Sequence, residues 1–321
     1  MPDFTPLDTG TPVRICNSLD ELATLRQDLH LAFGVFDGVH TGHQTVIRLA
    51  VQAAANLGGI SGLVTFDPHP IRVIAPARAP RKLLATIDHK ANIVRSLGLD
   101  LFVPLHFDLK MAAMPAAEFL DSLCRAPVKT IAVGEDWRFG HNRAGDVPFL
   151  RSQSAKLGFT LQAASPVMFG DDRISSTRIR QAIHDGNLRE AARMLGRPYS
   201  ISGPVLAGRK LGRTIGFPTA NLSTDSLQLP PDGVWAVRVN LQDKLLDGVA
   251  NLGIRPTVDG QSRTLEVHLL DFSQDLYGET IDVRFVKHLR PERKFESLDA
   301  LKNQITRDTE DARNILRQNH P

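Results

Sequence analysis

The sequence predicts an α/β doubly wound domain followed by a small antiparallel β-barrel with a C-terminal helix. Three patterns in its 321 residues predict this. In the first part, short apolar runs alternate with helix-like stretches, which is the signature of parallel strands joined by helices. In the later part, short runs of alternating polarity are separated by glycine and proline, as in small antiparallel barrels. At the end, Leu298, Leu301, Ile305, Ala312 and Ile315 recur at mostly helical spacing.

In the first part the expected strands are Leu31–Val35, Gly62–Phe66, Leu101–Leu105 and Thr130–Val133. The helices between them are Gln44–Leu57, Asp88–Leu97, Pro115–Leu123 and Val147–Lys156. Segment 187–196, NLREAARMLG, reads as a helix stopped by Gly196 with Pro198 beyond it, and is expected as the linker. Barrel strands are expected at Trp235–Asn240, Gly248–Asn251, Leu265–Leu270 and Ile281–Val286, with a closing helix over Ser297 to Gln318. The expected domains are therefore 13–186 and 187–321.

Composition narrows the function classes. Hydrophobic content of 42% and charged content of 23% are ordinary for a globular protein. A net charge of +3 is too mild to point to nucleic acid, and basic clusters such as Arg78 to Lys82 read as solvated surface. Cys16 and Cys124 are too few for a disulfide framework or a cysteine-based zinc site. No apolar run has membrane-spanning length. The first ten residues carry acids and prolines rather than a basic, then apolar, leader, so a cytoplasmic protein is expected.

The most informative segment is FGVFDGVHTGH, residues 33 to 43. It follows a buried strand and precedes a helix, so its backbone N–H groups and the helix dipole face any anion bound there. Glycines at 34, 38 and 42 allow close backbone approach, and His40 and His43 lie one helical turn apart. A second segment, Arg173-Ile-Ser-Ser-Thr-Arg-Ile-Arg180, combines Ser175, Ser176 and Thr177 as cap residues with three arginines around a helix N-terminus. Cations are electrostatically misplaced at that end unless an anion is bound. Two further loops follow strand ends: VTFDPHP at 64–70, with Asp67 and His69, and VGEDWRFGHNRAGD at 133–146, with Asp136 and Trp137.

The first segment resembles the HxGH signature of the nucleotidyltransferase superfamily, whose domain is Rossmann-like. The four segments together resemble the FMN adenylyltransferase module of bacterial bifunctional riboflavin kinase/FAD synthetases. That resemblance implies His40 and His43 as catalytic groups, with Gly34, Phe36, Asp37, Gly38, Arg173, Ser176 and Thr177 around the ATP phosphates. It implies Asp67, His69, Asp136 and Trp137 as flavin contacts. Some members carry Asn where this chain has Asp136, followed here by Trp137.

The later part carries GRKLGRTIGFPTANL at 208–222. Gly208, Gly212 and Gly216 alternate with Arg209, Lys210 and Arg213, without the lysine-serine ending of a P-loop. Such a loop can fold over phosphates through its backbone N–H groups. Pro218 stiffens its exit, and Thr219 and Asn221, two apart, project to one side of an extended segment. Their hydroxyl and carboxamide oxygens are hard ligands suited to Mg²⁺ bridging ATP phosphates.

This string resembles the GFPTAN signature of riboflavin kinases. Matches to that family follow in order: PDGVWAVRV at 231–239, with Trp235 for the usual Tyr, GVANLGIRPTVDG at 248–260, LEVHLLDFSQDLYG at 265–278, and LRPERKF at 289–295. The resemblance implies Glu266 as general base for the riboflavin 5′-hydroxyl. It implies Gly208, Lys210, Gly212, Arg213, Pro218 and Thr219 at ATP, Thr219 and Asn221 at the metal, and Arg290, Glu292 and Phe295 near riboflavin.

The whole chain thus resembles an enzyme that makes FMN from riboflavin and ATP, then FAD from FMN and a second ATP. The implied cofactor is Mg²⁺ and the implied partners are ATP, riboflavin and FMN, with no nucleic acid and no membrane. A monomer or weak homo-oligomer is expected. A different HxGH adenylyltransferase would have no reason to carry GFPTAN. A non-catalytic flavin-binding derivative is expected to lose His40, His43, Thr219, Asn221 or Glu266, and all five are present.

Overall fold

The structure is a computed structural model and describes residues 13–80, 82–207, 212, 215–224, 226–242, 244–257 and 260–318. By internal packing the chain divides into two compact units, Leu7–Arg81 with Lys90–Ser176 and Lys82–His89 with Thr177–Pro321.

The first unit is built on a parallel six-stranded sheet. Its strands are β1 (Arg14–Ile15), β2 (Leu29–Phe33), β3 (Ile60–Asp67), β4 (Leu101–His106), β5 (Val128–Gly134) and β6 (Thr160–Ala164). They lie in the order β1-β4-β3-β2-β5-β6. All four strands expected from the sequence are present. Strand β6 is unannounced because its TLQAA sequence has no apolar run and most of its length is half-buried.

The central strand β2 is buried at all five positions. Even His30 on it is satisfied, with Nδ1 2.8 Å from the Thr130 hydroxyl and Nε2 2.8 Å from the Gly58 carbonyl. That histidine is a core residue. From β2 the chain winds through β3 and β4 to one side, and through β5 and β6 to the other. The strand order therefore reverses at β2, where open α/β sheets hold their ligands beyond the strand C-termini. Helix α2 (Thr41–Leu57) follows β2 directly, so the HxGH segment occupies that switch point.

The second unit is a closed antiparallel barrel. Its strands are β9 (Ser200–Leu206), β10 (Ala220–Ser223), β11 (Gly233–Leu241), β12 (Lys244–Thr257), β13 (Gly260–Leu269) and β14 (Thr280–Arg290), in the order β10-β13-β12-β11-β14-β9. Strand β9 escapes sequence reading because Gly203 and Pro204 interrupt its apolar pattern. Helix Leu188–Leu195, expected as a linker, buries Ala191, Met194 and Leu195 completely and ends at Gly196 in the left-handed conformation.

The closing helix Leu298–Gln318 packs on the outside of the barrel. Its Ala312 and Leu316 meet Val234, Ala236 and Val249, so β11 is covered on both faces and reads as a nearly continuous apolar run. The helix also buries a charge. Asp308 takes three hydrogen bonds from Arg290 at the end of β14, at 2.8 to 3.1 Å, and a fourth from Gln304 at 2.8 Å. Removing one partner of a buried pair leaves the other charge uncompensated, which costs more than the pair itself contributes. Asp308→Ala is therefore expected to lower the stability of the barrel unit by about 3 kcal/mol in urea unfolding. Asp308→Asn, which keeps hydrogen-bonding capacity, loses less.

Candidate active sites

At the end of β2 the chain leaves the sheet at Gly34, where a Cβ would lie 3.1 Å from the ring of Phe36. Phe36 (φ 51°), Gly38 (φ 81°) and Val39 (φ 44°) all take left-handed backbone. For a β-branched residue such as Val39 that conformation costs energy, and it persists only because the surroundings enforce it. Here Phe36 and Val39 are fully buried, and the Val39 carbonyl accepts from the Gln44 side chain at 3.0 Å.

The turn delivers His40 as the N-cap of α2, with its Nδ1 accepting from the His43 backbone N–H at 3.3 Å. An accepting Nδ1 places the proton of neutral His40 on Nε2. The His40 and His43 rings stack at 3.5 Å between centroids, and Phe36 packs edge-on against His43 at 5.3 Å. Gly42 lies beneath this pair, since a Cβ there would be 3.2 Å from His40 Cε1.

The second motif comes onto the same turn. Helix α8 (Ser176–His184) begins at Ser176, whose hydroxyl donates to the Asp37 carbonyl at 2.9 Å across 139 residues of sequence. Two of the three arginines around this helix find carboxylates within the chain. Arg173 forms a bidentate pair with Asp136 at 2.6 and 3.0 Å, and Arg178 pairs with Glu190 at 3.4 Å. That pairing holds the Asp136 carboxyl below its usual pKa. The positive charge that seemed to require a bound anion is thus partly balanced internally. Thr177 follows Ser176 and is exposed.

The expected flavin contacts are more dispersed. Asp67 ends β3 and is exposed. His69 caps the short helix Pro70–Ile74, its Nδ1 accepting from the Ile71 N–H at 3.3 Å. Trp137 has one face stacked on Phe139 at 4.5 Å and touches Phe33, so much of the indole serves the core.

Sequence reading missed Lys90. It lies on helix α4 (Ile87–Arg95), is 5% exposed, and its Nζ donates to the Val35 carbonyl at 2.7 Å and to the Thr65 hydroxyl at 3.2 Å. Burial pushes its pKa down to about 8, opposed by the nearby charges of Asp37 and Asp67. The signal was its spacing: Lys90 shares a helix face with Ile87, Ile93 and Val94, where a lysine is out of place.

In the barrel the register assembles a second constellation. Asn221 on β10 and Asn251 on β12 both pair with Glu266 on β13. Their sequence neighbours Ala220, Leu222, Ala250, Leu252, Leu265 and Val267 are buried, so these three polar residues share the outer face of the barrel wall. The Thr219 hydroxyl donates to Glu266 Oε2 at 3.5 Å, and Asn221 Nδ2 donates to the Thr219 carbonyl at 3.4 Å. His268 bonds the Pro218 carbonyl at 2.8 Å, and the Phe217 N–H returns to the Gly212 carbonyl at 2.8 Å, which fixes the strand's entry. Gly208, Lys210 and Arg213 lie outside the described residues.

Asn251 is the residue missed here, although its motif was noticed. Its Nδ2 donates to Glu292 at 2.9 Å, and Gly253 makes room for that carboxylate. Arg290 is committed to Asp308, while Phe295 lies under the guanidiniums of Arg290 (5.6 Å) and Arg293 (4.9 Å). Among the described residues no group of three or more His, Cys, Asp or Glu could hold a metal ion. Any cation at Thr219 and Asn221 would thus be held largely by hard neutral oxygens and by substrate phosphate, as Mg²⁺ is in many nucleotide sites.

A switch-point histidine pair at a helix N-terminus, joined in one chain to a barrel site of hydroxyl, carboxamide and carboxylate, defines an enzyme that transfers phosphorus groups from nucleotides. Comparison with known proteins narrows the class. The riboflavin kinase family matches residues 195–316, and the FAD synthetase family matches residues 23–178. The bifunctional riboflavin kinase/FMN adenylyltransferase of Escherichia coli (strain K12) is 42% identical over 89% of this chain and 92% of its own. Those of Haemophilus influenzae and Bacillus subtilis are 38% and 35% identical over 94% and 88% of this chain, and 98% and 90% of theirs. A solved structure described as a macrolide-efflux protein from Streptococcus pneumoniae is 33% identical with a TM-score of 0.76, covering 95% of this chain and 99% of that one. Among the described residues no helix is long and apolar enough to cross a membrane. The chain belongs to the bifunctional riboflavin kinase/FMN adenylyltransferase family. It phosphorylates riboflavin to FMN and adenylylates FMN to FAD.

Gly42→Ala separates folding from this chemistry. Alanine in a helix gains up to about 1 kcal/mol over glycine, yet its Cβ must displace the His40 ring. Thermal stability is expected to hold or rise while FAD formation falls by about tenfold, on the sequence-based expectation that His40 serves adenylylation. Riboflavin phosphorylation, measured on the same sample, is expected to be unchanged.

Proposed function

We propose that the two reactions are divided between the two motif sets, with FMN adenylylation in residues 13–186 and riboflavin phosphorylation in 187–321. The gap between the two family matches, from 178 to 195, supports a boundary there. The observation that carries the kinase assignment is the row Asn221–Glu266–Asn251 with the Thr219 hydroxyl on Glu266.

In the kinase step Glu266 takes the proton of the riboflavin 5′-hydroxyl as that oxygen attacks the γ-phosphorus of ATP, and ADP leaves. ATP phosphate binding is assigned to Gly212 and Pro218 and, from the sequence alone, to Gly208, Lys210 and Arg213. Thr219 and Asn221 would hold Mg²⁺, which would neutralise phosphate charge. Glu292, steadied by Asn251, and Phe295 border the flavin. Arg290 acts from behind, since its pair with Asp308 fixes the chain from which both project.

In the adenylylation step a phosphate oxygen of FMN attacks the α-phosphorus of ATP and pyrophosphate leaves. The turn at Gly34, Phe36, Asp37 and Gly38 lies against the phosphates. His40 Nε2–H and His43 donate to phosphoryl oxygens at the α2 N-terminus, where charge develops. Ser176 and Thr177 complete the phosphate site, and Arg173 joins them by exchanging the Asp136 carboxylate for phosphate. Asp67, His69, Asp136 and the open side of Trp137 receive the flavin. ATP as the co-substrate of both steps supports a cytoplasmic enzyme, and we propose a monomer or weak homo-oligomer.

Purified variants test the division. Asn221→Ala and Glu266→Gln are expected to lower FMN formation by about 10²–10⁴-fold and to leave FAD formation from supplied FMN within about twofold. His43→Ala is expected to do the reverse. Chromatography of the flavins reads both steps at once, and a single variant that abolished both in folded protein would refute separate sites.

A further inference from the structure

Lys90 is used by none of the assignments above, yet it is a cation buried directly beneath the HxGH turn. Its Nζ reaches the carbonyl of Val35, within the turn, at 2.7 Å. Of the next four residues, Phe36, Gly38 and Val39 are left-handed, and the fifth is His40. Satisfying one carbonyl does not require a lysine there, because the Thr65 hydroxyl already donates to the same oxygen at 2.9 Å. What Lys90 adds is charge, and a buried charge is costly unless something uses it. The groups facing it are Val35 and Asp37 from the turn, and Thr65 and Asp67 from β3.

We propose that Lys90 is a positioning residue for adenylyl transfer: its ammonium pins the Val35 carbonyl, and with it the strained turn that presents His40 and His43, and places fixed positive charge under the anions gathered there. The inference rests on the adenylylation site assigned above. ATP and FMN bring several negative charges to one helix N-terminus, and a buried cation needs no reorganisation as that charge shifts. Both hydrogen bonds of Lys90 Nζ go to the protein, to the Val35 carbonyl and the Thr65 hydroxyl, so as a positioning residue it acts on kcat rather than on KM.

Charge and stability respond to pH in opposite directions. The folded-state pKa, about 8, is below the ordinary lysine value of 10.5, so between these values the unfolded chain binds more protons. Through Lys90 the fold therefore gains stability as pH rises across that window. Adenylylation loses its buried charge over the same window and is expected to decline above pH about 8.

Lys90→Met and Lys90→Arg, measured with wild type and His43→Ala, test this. Lys90→Met is expected to lower kcat for FAD formation by about 100-fold, with KM for ATP and FMN within about threefold, and to flatten the alkaline limb. Lys90→Arg is expected to recover part of the rate and to move the limb to higher pH. Thermal unfolding of each variant controls for folding of the unit that holds Lys90, and riboflavin phosphorylation controls for enzyme concentration. FAD formation within threefold of wild type, or an equal loss in both reactions, overturns the proposal, since Lys90 would then serve nothing or serve the fold alone. If Lys90→Met does not fold, wild-type adenylylation that stays flat from pH 7 to 10 overturns it. If His43→Ala keeps FAD formation, the site assignment itself fails. If only the Lys90 variants keep it, this proposal fails alone.

Discussion

Complete burial of β2 is the constraint from which the first unit follows. A strand covered on both faces and paired on both edges has no surface on which to continue, so the chain must turn sharply where the sheet ends. Gly34 permits the exit, and buried Phe36 and Val39 hold the left-handed path. Because β2 is also where the strand order reverses, that path opens into the crevice of the sheet. The strain in the turn and the place of the proposed adenylylation site therefore have one cause.

The barrel assembles its proposed phosphate site by another route. No helix N-terminus is needed, because antiparallel register alone sets Asn221, Glu266 and Asn251 side by side. Alternation then turns their neighbours into the barrel interior and these three outward. Precision in the first unit comes from a loop forced by its core; in the second it comes from the ladder of hydrogen bonds itself.

Much of this was legible in the sequence because it rests on period and spacing. The apolar runs of β2 to β5, barrel strands β11 to β14 and the closing helix all follow patterns that burial imposes, while β1 and β10 are too short to show one. The failures have local reasons. Strand β6 is too polar at the sheet edge, and β9 is broken by Gly203 and Pro204. Motifs showed which segments carry chemistry but not which side chains face one another. Asn251 became visible only through its register with Glu266, and Lys90 only through its burial under Val35. The Asp308 partner of Arg290 is 18 residues away, so the helix-anchoring role of that arginine could not be read from its motif.

The two units also differ in what they expose to other molecules. In the closed barrel every strand has a hydrogen-bonded neighbour on each side along part of its length. The open sheet must end somewhere, and it ends on one side with the two residues of β1 and on the other with β6, whose Thr160 and Gln162 interrupt any apolar surface. Edges that short and that polar are poor templates for adding a foreign strand. The same lack of apolar pattern that hid β6 from sequence reading thus makes it a poor template for a foreign strand at that edge.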